Sequence, residues 1–125
     1  QCVIPLENSR EGLSQLLNAI EKAGVGSFLS VLKRFGSQNG RFSFPMKGYT
    51  LALDFPINKK TLALMDELDK ITIKYNGRFY LAKDSRMSKT TLINSEKRLK
   101  NYQDFRNKIQ SNEVFNSAQS IRLEI

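Results

Sequence analysis

The chain has no histidine, no tryptophan, one cysteine and three prolines in 125 residues. Without histidine, neither Ser-His-Asp nor Cys-His catalysis can be assembled from these residues, and the commonest zinc ligand is missing. Asp and Glu are not clustered along the chain, so no metal site is expected. Cys2 cannot form an internal disulfide. The apolar runs are far too short to span a bilayer. No glycine-rich phosphate-binding loop is present.

What remains is the composition of one globular domain, 40% apolar and 26% charged, long enough for a core but not for two. Net charge is +8, and thirteen basic residues face six acidic ones between Lys59 and Lys108, so most of the excess lies there. Two readings of that field stand side by side: a solvated basic surface, or an anionic partner such as phosphate, nucleic acid or lipid. Gln1-Cys2-Val3-Ile4-Pro5 is apolar and strand-like with no initiator methionine, and is read as the expected start of a piece of a longer protein.

After that strand, Asn8 or Ser9 can cap a helix carrying Leu13, Leu16, Leu17, Ile20 and Ala23 at helical spacing, ended by Gly24. Phe28 to Phe35 reads as a second strand, followed by an Asn39-Gly40 turn. Phe44-Pro45 argues for irregular chain. Tyr49 to Phe55 alternates most cleanly, with Tyr49, Leu51, Leu53 and Phe55 on one face and Thr50, Ala52 and Asp54 on the other. A second helix, capped by Asn58, carries Leu64, Leu68, Ile71 and Tyr75 with Met65 beside them. Asn76-Gly77 is expected to stop it, and Arg78 to Ala82 to form the fourth strand, running into Lys83-Asp84-Ser85-Arg86. Short strands that end in a charged cluster commonly deliver side chains to a site.

The order β-α-β-β-α-β predicts an α+β fold: a ferredoxin-like, split β-α-β antiparallel four-stranded sheet with two helices on one face. The opposite face is left free for a ligand, a domain or a nucleic acid. A helical C-terminal tail follows. Ser88 caps a helix over Lys89 to Ser95, Arg98 to Ile109 presents Leu99, Tyr102, Phe105 and Ile109, and Glu113-Val114-Phe115 and Ile121-Arg122-Leu123 are apolar anchors that should dock on something.

The same strand order belongs to RNA-recognition domains, and Lys47-Gly48-Tyr49 stands where their third strand opens. That mode needs a second exposed aromatic two residues on, where this chain has Leu51. Nucleic acid is therefore not the expected partner, and an RNA-binding module remains the alternative from another class.

A longer match runs along the whole chain. Arg78-Phe79-Tyr80-Leu81-Ala82-Lys83-Asp84-Ser85-Arg86 closely resembles the end of flavin-dependent oxidases of the vanillyl-alcohol-oxidase superfamily, nearest to the decaprenylphosphoryl-β-D-ribose 2-oxidase family. Gln1 to Pro5, Ser27 to Gly36, Leu53 to Ile57, Glu113 to Phe115 and Arg122-Leu123 carry the resemblance further. It implies the C-terminal portion of an FAD-dependent oxidoreductase acting on a CH-OH group of a sugar or lipid-linked sugar, in bacterial cell-wall or polysaccharide metabolism. Residues 1–79 would belong to the cap or substrate domain, and 80–125 would return to an N-terminal FAD-binding domain.

The resemblance also implies that Lys83 and Tyr80 contact flavin and take part in catalysis, and that Gln1, Lys33, Phe35, Thr50 and Ala52 meet the substrate. Implied partners are a polyprenyl-phospho-sugar and a short-chain reductase completing an epimerisation. The implied place is the cytoplasm or the inner-membrane surface. Thr50 and Ala52 depart from the asparagine and cysteine of mycobacterial members, implying a pocket of another shape. Aldonolactone oxidases, the neighbouring alternative, carry a His-Trp signature that this chain lacks.

Overall fold

The computed structural model describes all residues, Gln1–Ile125. Strand β1 (Cys2–Pro5) is followed by helix α1 (Ser9–Ala23), then β2 (Ser30–Phe35), β3 (Gly48–Leu53), α2 (Lys59–Lys74) and β4 (Arg78–Phe79). The tail holds α3 (Lys89–Ser95), α4 (Leu99–Lys108), α5 (Ser111–Val114) and α6 (Ala118–Leu123). The sheet order is β2-β3-β1-β4, antiparallel throughout, which is the ferredoxin-like arrangement expected from the element order.

Register assigns the faces, because residues directly opposite in an antiparallel pair point the same way. Leu32, Leu51, Cys2 and Phe79 form one cross-strand row. Cys2, Ile4, Leu16, Leu51 and Tyr75 make the first core, so this row faces the helices. Gly24 adopts the left-handed conformation that ends α1, as its sequence position predicts (φ 56°). Neither expected cap residue works through its side chain. Asn8 donates to the Tyr75 carbonyl at the end of α2 and Ser9 back to those of Ile4 and Pro5 in β1, so the helix start is fastened to both the second helix and the sheet. Asn58 caps α2 with a reciprocal bond from Thr61. Asn76, not Gly77, takes the positive φ after α2. Gly77 is needed for a different reason: a Cβ there would lie 2.7 Å from the Val3 carbonyl oxygen.

The fourth strand is shorter than expected. Pairing with β1 covers only Arg78 and Phe79, and the Tyr80 N–H donates to Gln1 O as the last rung. The chain then curls into a 3-10 turn, Leu81–Lys83. The tail does dock, building a second core of Met87, Leu92, Leu99 and Leu123 against Phe42, Leu81 and Phe79. Phe79 packs in both cores and joins them. The expected anchors divide: Leu123 is fully buried, whereas Val114, Phe115 and Ile121 are exposed. Phe105 and Ile109 are exposed as well.

The face expected to be free is not open. Val3 and Thr50, on the side away from the helices, are 0% and 1% exposed. The Phe44 ring lies 5.9 Å from Phe35 and 4.8 Å from Tyr80. Those partners belong to opposite edges of the sheet, so the β2–β3 connection crosses that face. Arg78 and Arg98 both donate to Ser43 O, and Arg98 also to Gly40 O. Phe42 stacks on Tyr102 of α4 at 4.1 Å. Guanidiniums from the sheet and the tail thus strap the connection down.

Candidate functional site

A cleft of about 650 Å³ opens between α2 and the sheet, within the usual range of small-molecule sites of about 300–1,000 Å³. Leu51, Leu53, Phe55 and Phe79 from the sheet side and Leu62, Met65 and Leu68 from α2 wall it. Its polar rim is Gln1, Tyr80 and the run Lys83 to Arg86. The short strand therefore delivers its charged cluster to a cavity.

The three charges of that run differ in their ties. Arg86 reaches α2, with Nη1 3.0 Å from Asp66, Nη2 2.9 Å from Asp69 and Nε donating to the Met65 sulfur. Asp84 Oδ1 accepts the N–H groups of Arg86 and Met87, while Oδ2 pairs with Arg122 at 2.5 Å. Asp84 thus does not pair with its neighbour Lys83, whose ammonium is exposed and makes no ion pair. Burial raises the Asp69 carboxyl above its ordinary value, and the Arg86 charge opposes that rise.

Register brings six of the seven sequence-selected residues onto one face, the side away from the helices. Lys33, Thr50, Val3 and Arg78 form one row. Val31 and Ala52 begin the next, and alternation places Gln1 and Tyr80 in line with them. Phe35 lies one row beyond, opposite Gly48. Gln1 Nε2 donates to Thr50 Oγ1 at 3.0 Å, and Thr50 Oγ1 donates to Cys2 O at 2.8 Å. Thr50 is thereby committed to holding Gln1 rather than offering a free hydroxyl. Lys33 is exposed and unpaired. Gln1 and Tyr80 belong both to this face and to the rim of the cleft, where Lys83 joins them.

Sequence reasoning missed the charged residues that fix this geometry. Glu96 accepts from the Arg98 backbone N–H at 3.0 Å and from its guanidinium at 2.8 and 2.6 Å. Burial pushes the Glu96 carboxyl up, but the Arg98 bonds and charge, with Arg78 nearby, outweigh it and hold it below its ordinary value. Arg78 is itself lowered, chiefly by burial and then by the Arg98 charge. Their spacing in sequence carries no local signal. Cys2 is buried, which raises its thiol, and it is no candidate nucleophile.

Tyr49 sits opposite Ile4, so it faces the helices and cannot stack bases on the other face. Gly48 has a packing reason: a Cβ there would lie 2.1 Å from Ile4 O. The likeness to an RNA-recognition strand therefore has no structural counterpart at these positions.

No family model matches the chain. It is 34% identical over its full length to decaprenylphosphoryl-β-D-ribose oxidase of Mycolicibacterium smegmatis, covering 27% of that protein. It is also 34% identical, over 89% of its length, to an uncharacterized protein of Streptomyces coelicolor named for the mprA 5′ region, covering 31% of that one. The chain thus spans less than a third of the length of these relatives.

Proposed function

We propose, on the 34% identity that runs along the whole chain to decaprenylphosphoryl-β-D-ribose oxidase, that it is the C-terminal portion of an FAD-dependent oxidoreductase that oxidises a CH-OH group of a sugar or lipid-linked sugar. The observation that carries this reading is the unpaired ammonium of Lys83 at the mouth of an apolar-walled cleft, beside Tyr80 and Gln1. That donor set fits the acceptor-rich pyrimidine edge of a flavin. A flavin bound there would supply the hydride acceptor. The chain has no glycine-rich loop for a pyrophosphate, so the rest of the cofactor falls to an N-terminal FAD-binding domain.

In this reading Lys83 stabilises negative charge that develops at the flavin edge or the reacting oxygen. Tyr80 orients flavin or substrate through its hydroxyl. Lys33 donates to substrate hydroxyl or phosphate oxygens. Gln1, held by Thr50, places its amide toward the substrate, and Phe35 and Ala52, which line no part of the cleft, meet the substrate on the sheet face away from the helices. Residues 1–79 act as part of the cap and 80–125 as the segment returning to the flavin domain.

A lipid-linked substrate places the enzyme at the inner-membrane surface, with a short-chain reductase completing an epimerisation. No helix is long and apolar enough to cross a membrane. The test is the absorption spectrum of the full-length protein. A bound flavin bleached by a sugar alcohol is expected, and a protein that neither carries nor takes up FAD contradicts the reading.

A further inference from the structure

Lys83 leads directly into a carboxylate that is almost fully used. The Asp84 side chain is 9% exposed. Oδ1 accepts the N–H of Arg86 at 3.1 Å and of Met87 at 2.8 Å. Oδ2 accepts Arg122 Nη2 at 2.5 Å and Gln119 Nε2 at 3.3 Å. Gln119 Nε2 also bonds Leu81 O at 2.7 Å, and Arg122 Nη1 donates to Ser85 O. Helix α6 therefore grips both the turn before Lys83 and the chain after it. It is fixed in place by fully buried Leu123 and by the Ser117 cap. On the opposite flank Arg86 ties the same run to α2.

From this geometry we propose that Asp84, Arg122 and Gln119 are positioning residues that hold the backbone of Lys83 so that its ammonium meets the reacting group. The proposal rests on the oxidase reading and deepens it. The saturated carboxylate does two things at once: it fixes the turn, and it leaves the Lys83 charge unneutralised by the carboxylate next to it in sequence. A lysine has a long, flexible stem, so only a fixed backbone limits where its charge can stand. A misplacement of about 1 Å at a reacting centre costs on the order of 100-fold in rate.

The full-length protein is tested as wild type, Arg122→Ala, Arg122→Lys, Asp84→Asn, Lys83→Ala and the Arg122→Ala/Lys83→Ala double variant. Hydrogen exchange of the Arg86 and Met87 amides reads the clamp with or without flavin. Faster exchange in Arg122→Ala, partly restored in Arg122→Lys, supports it, and unchanged exchange overturns it. The flavin-reduction rate reads the role. Arg122→Ala and Asp84→Asn are expected to lose about 10-fold or more at unchanged flavin content. Removing Lys83 from the Arg122→Ala background is expected to cost far less than removing it from wild type. Independent, multiplicative losses overturn the positioning role. A wild type without flavin overturns the oxidase reading, and amide exchange still decides the clamp.

Discussion

The second core makes a quantitative claim about Leu123. It is 0% exposed and packs with Met87, Leu92 and Leu99. Two residues earlier on the same short helix, Ile121 is 69% exposed. Truncating a fully buried leucine to alanine costs its transfer free energy plus a cavity term, about 3 kcal/mol. Unfolding entropy is about 2.1 cal/mol/K per residue, or about 0.26 kcal/mol/K for a chain of this length. Leu123→Ala should therefore lower Tm by about 11 °C. Ile121→Ala, which leaves no cavity, should change stability by no more than about 0.5 kcal/mol. Calorimetry of the two variants beside the wild-type chain measures both. A Leu123→Ala loss below about 1 kcal/mol, or equal losses at the two positions, would refute the docking of the tail through this residue.

Glu96 yields a signed pH prediction. Its folded pKa lies below the ordinary 4.5, so its contribution is present above that value and is lost as pH falls through the folded one. Glu96→Gln should cost about 2 kcal/mol at neutral pH and flatten the stability loss below pH 4.5, as urea titrations across pH would record; an unaltered acid limb would contradict the assignment. Gly48→Ala places a Cβ 2.1 Å from a backbone oxygen that cannot move aside cheaply, and a loss of about 1–3 kcal/mol is expected; a neutral variant would mean that β1 and β3 are not in this register. Arg98→Ala frees the carbonyl of Gly40 and leaves that of Ser43 to Arg78 alone, so amide exchange over residues 36–47 should quicken while that of β1 does not.

Local chemistry made much of this fold legible. Tyr49 to Phe55 declared its two faces by alternation, and Leu51 and Thr50 do point to opposite sides. The Asn58 and Ser88 caps and the Gly24 stop are written in single residues whose conformational preferences act within a turn. What escaped was set by distant partners. Nothing near Phe44 says that it will touch both sheet edges, and Arg98 meets Ser43 across 55 positions. Leu123 and Ile121 are equally apolar, and only the packing of α3 and α4 decides which is buried.

The candidate site divides in the same way. Thr50 and Ala52 were legible as the small side of a strand, whereas the bond from Gln1 to Thr50 depends on β1 lying beside β3. For Lys83 and Asp84 the sequence left open whether neighbours would neutralise each other. The tail resolves this by bringing Arg122 and Gln119 to the carboxylate.

The most direct test of the central claim is the rate of flavin bleaching by a sugar alcohol in the full-length protein, wild type against Lys83→Ala. With Lys83 as the charge-stabilising group, the variant keeps its yellow colour and slows by about 10²–10³-fold. A variant that binds flavin and is bleached at the wild-type rate would contradict the account.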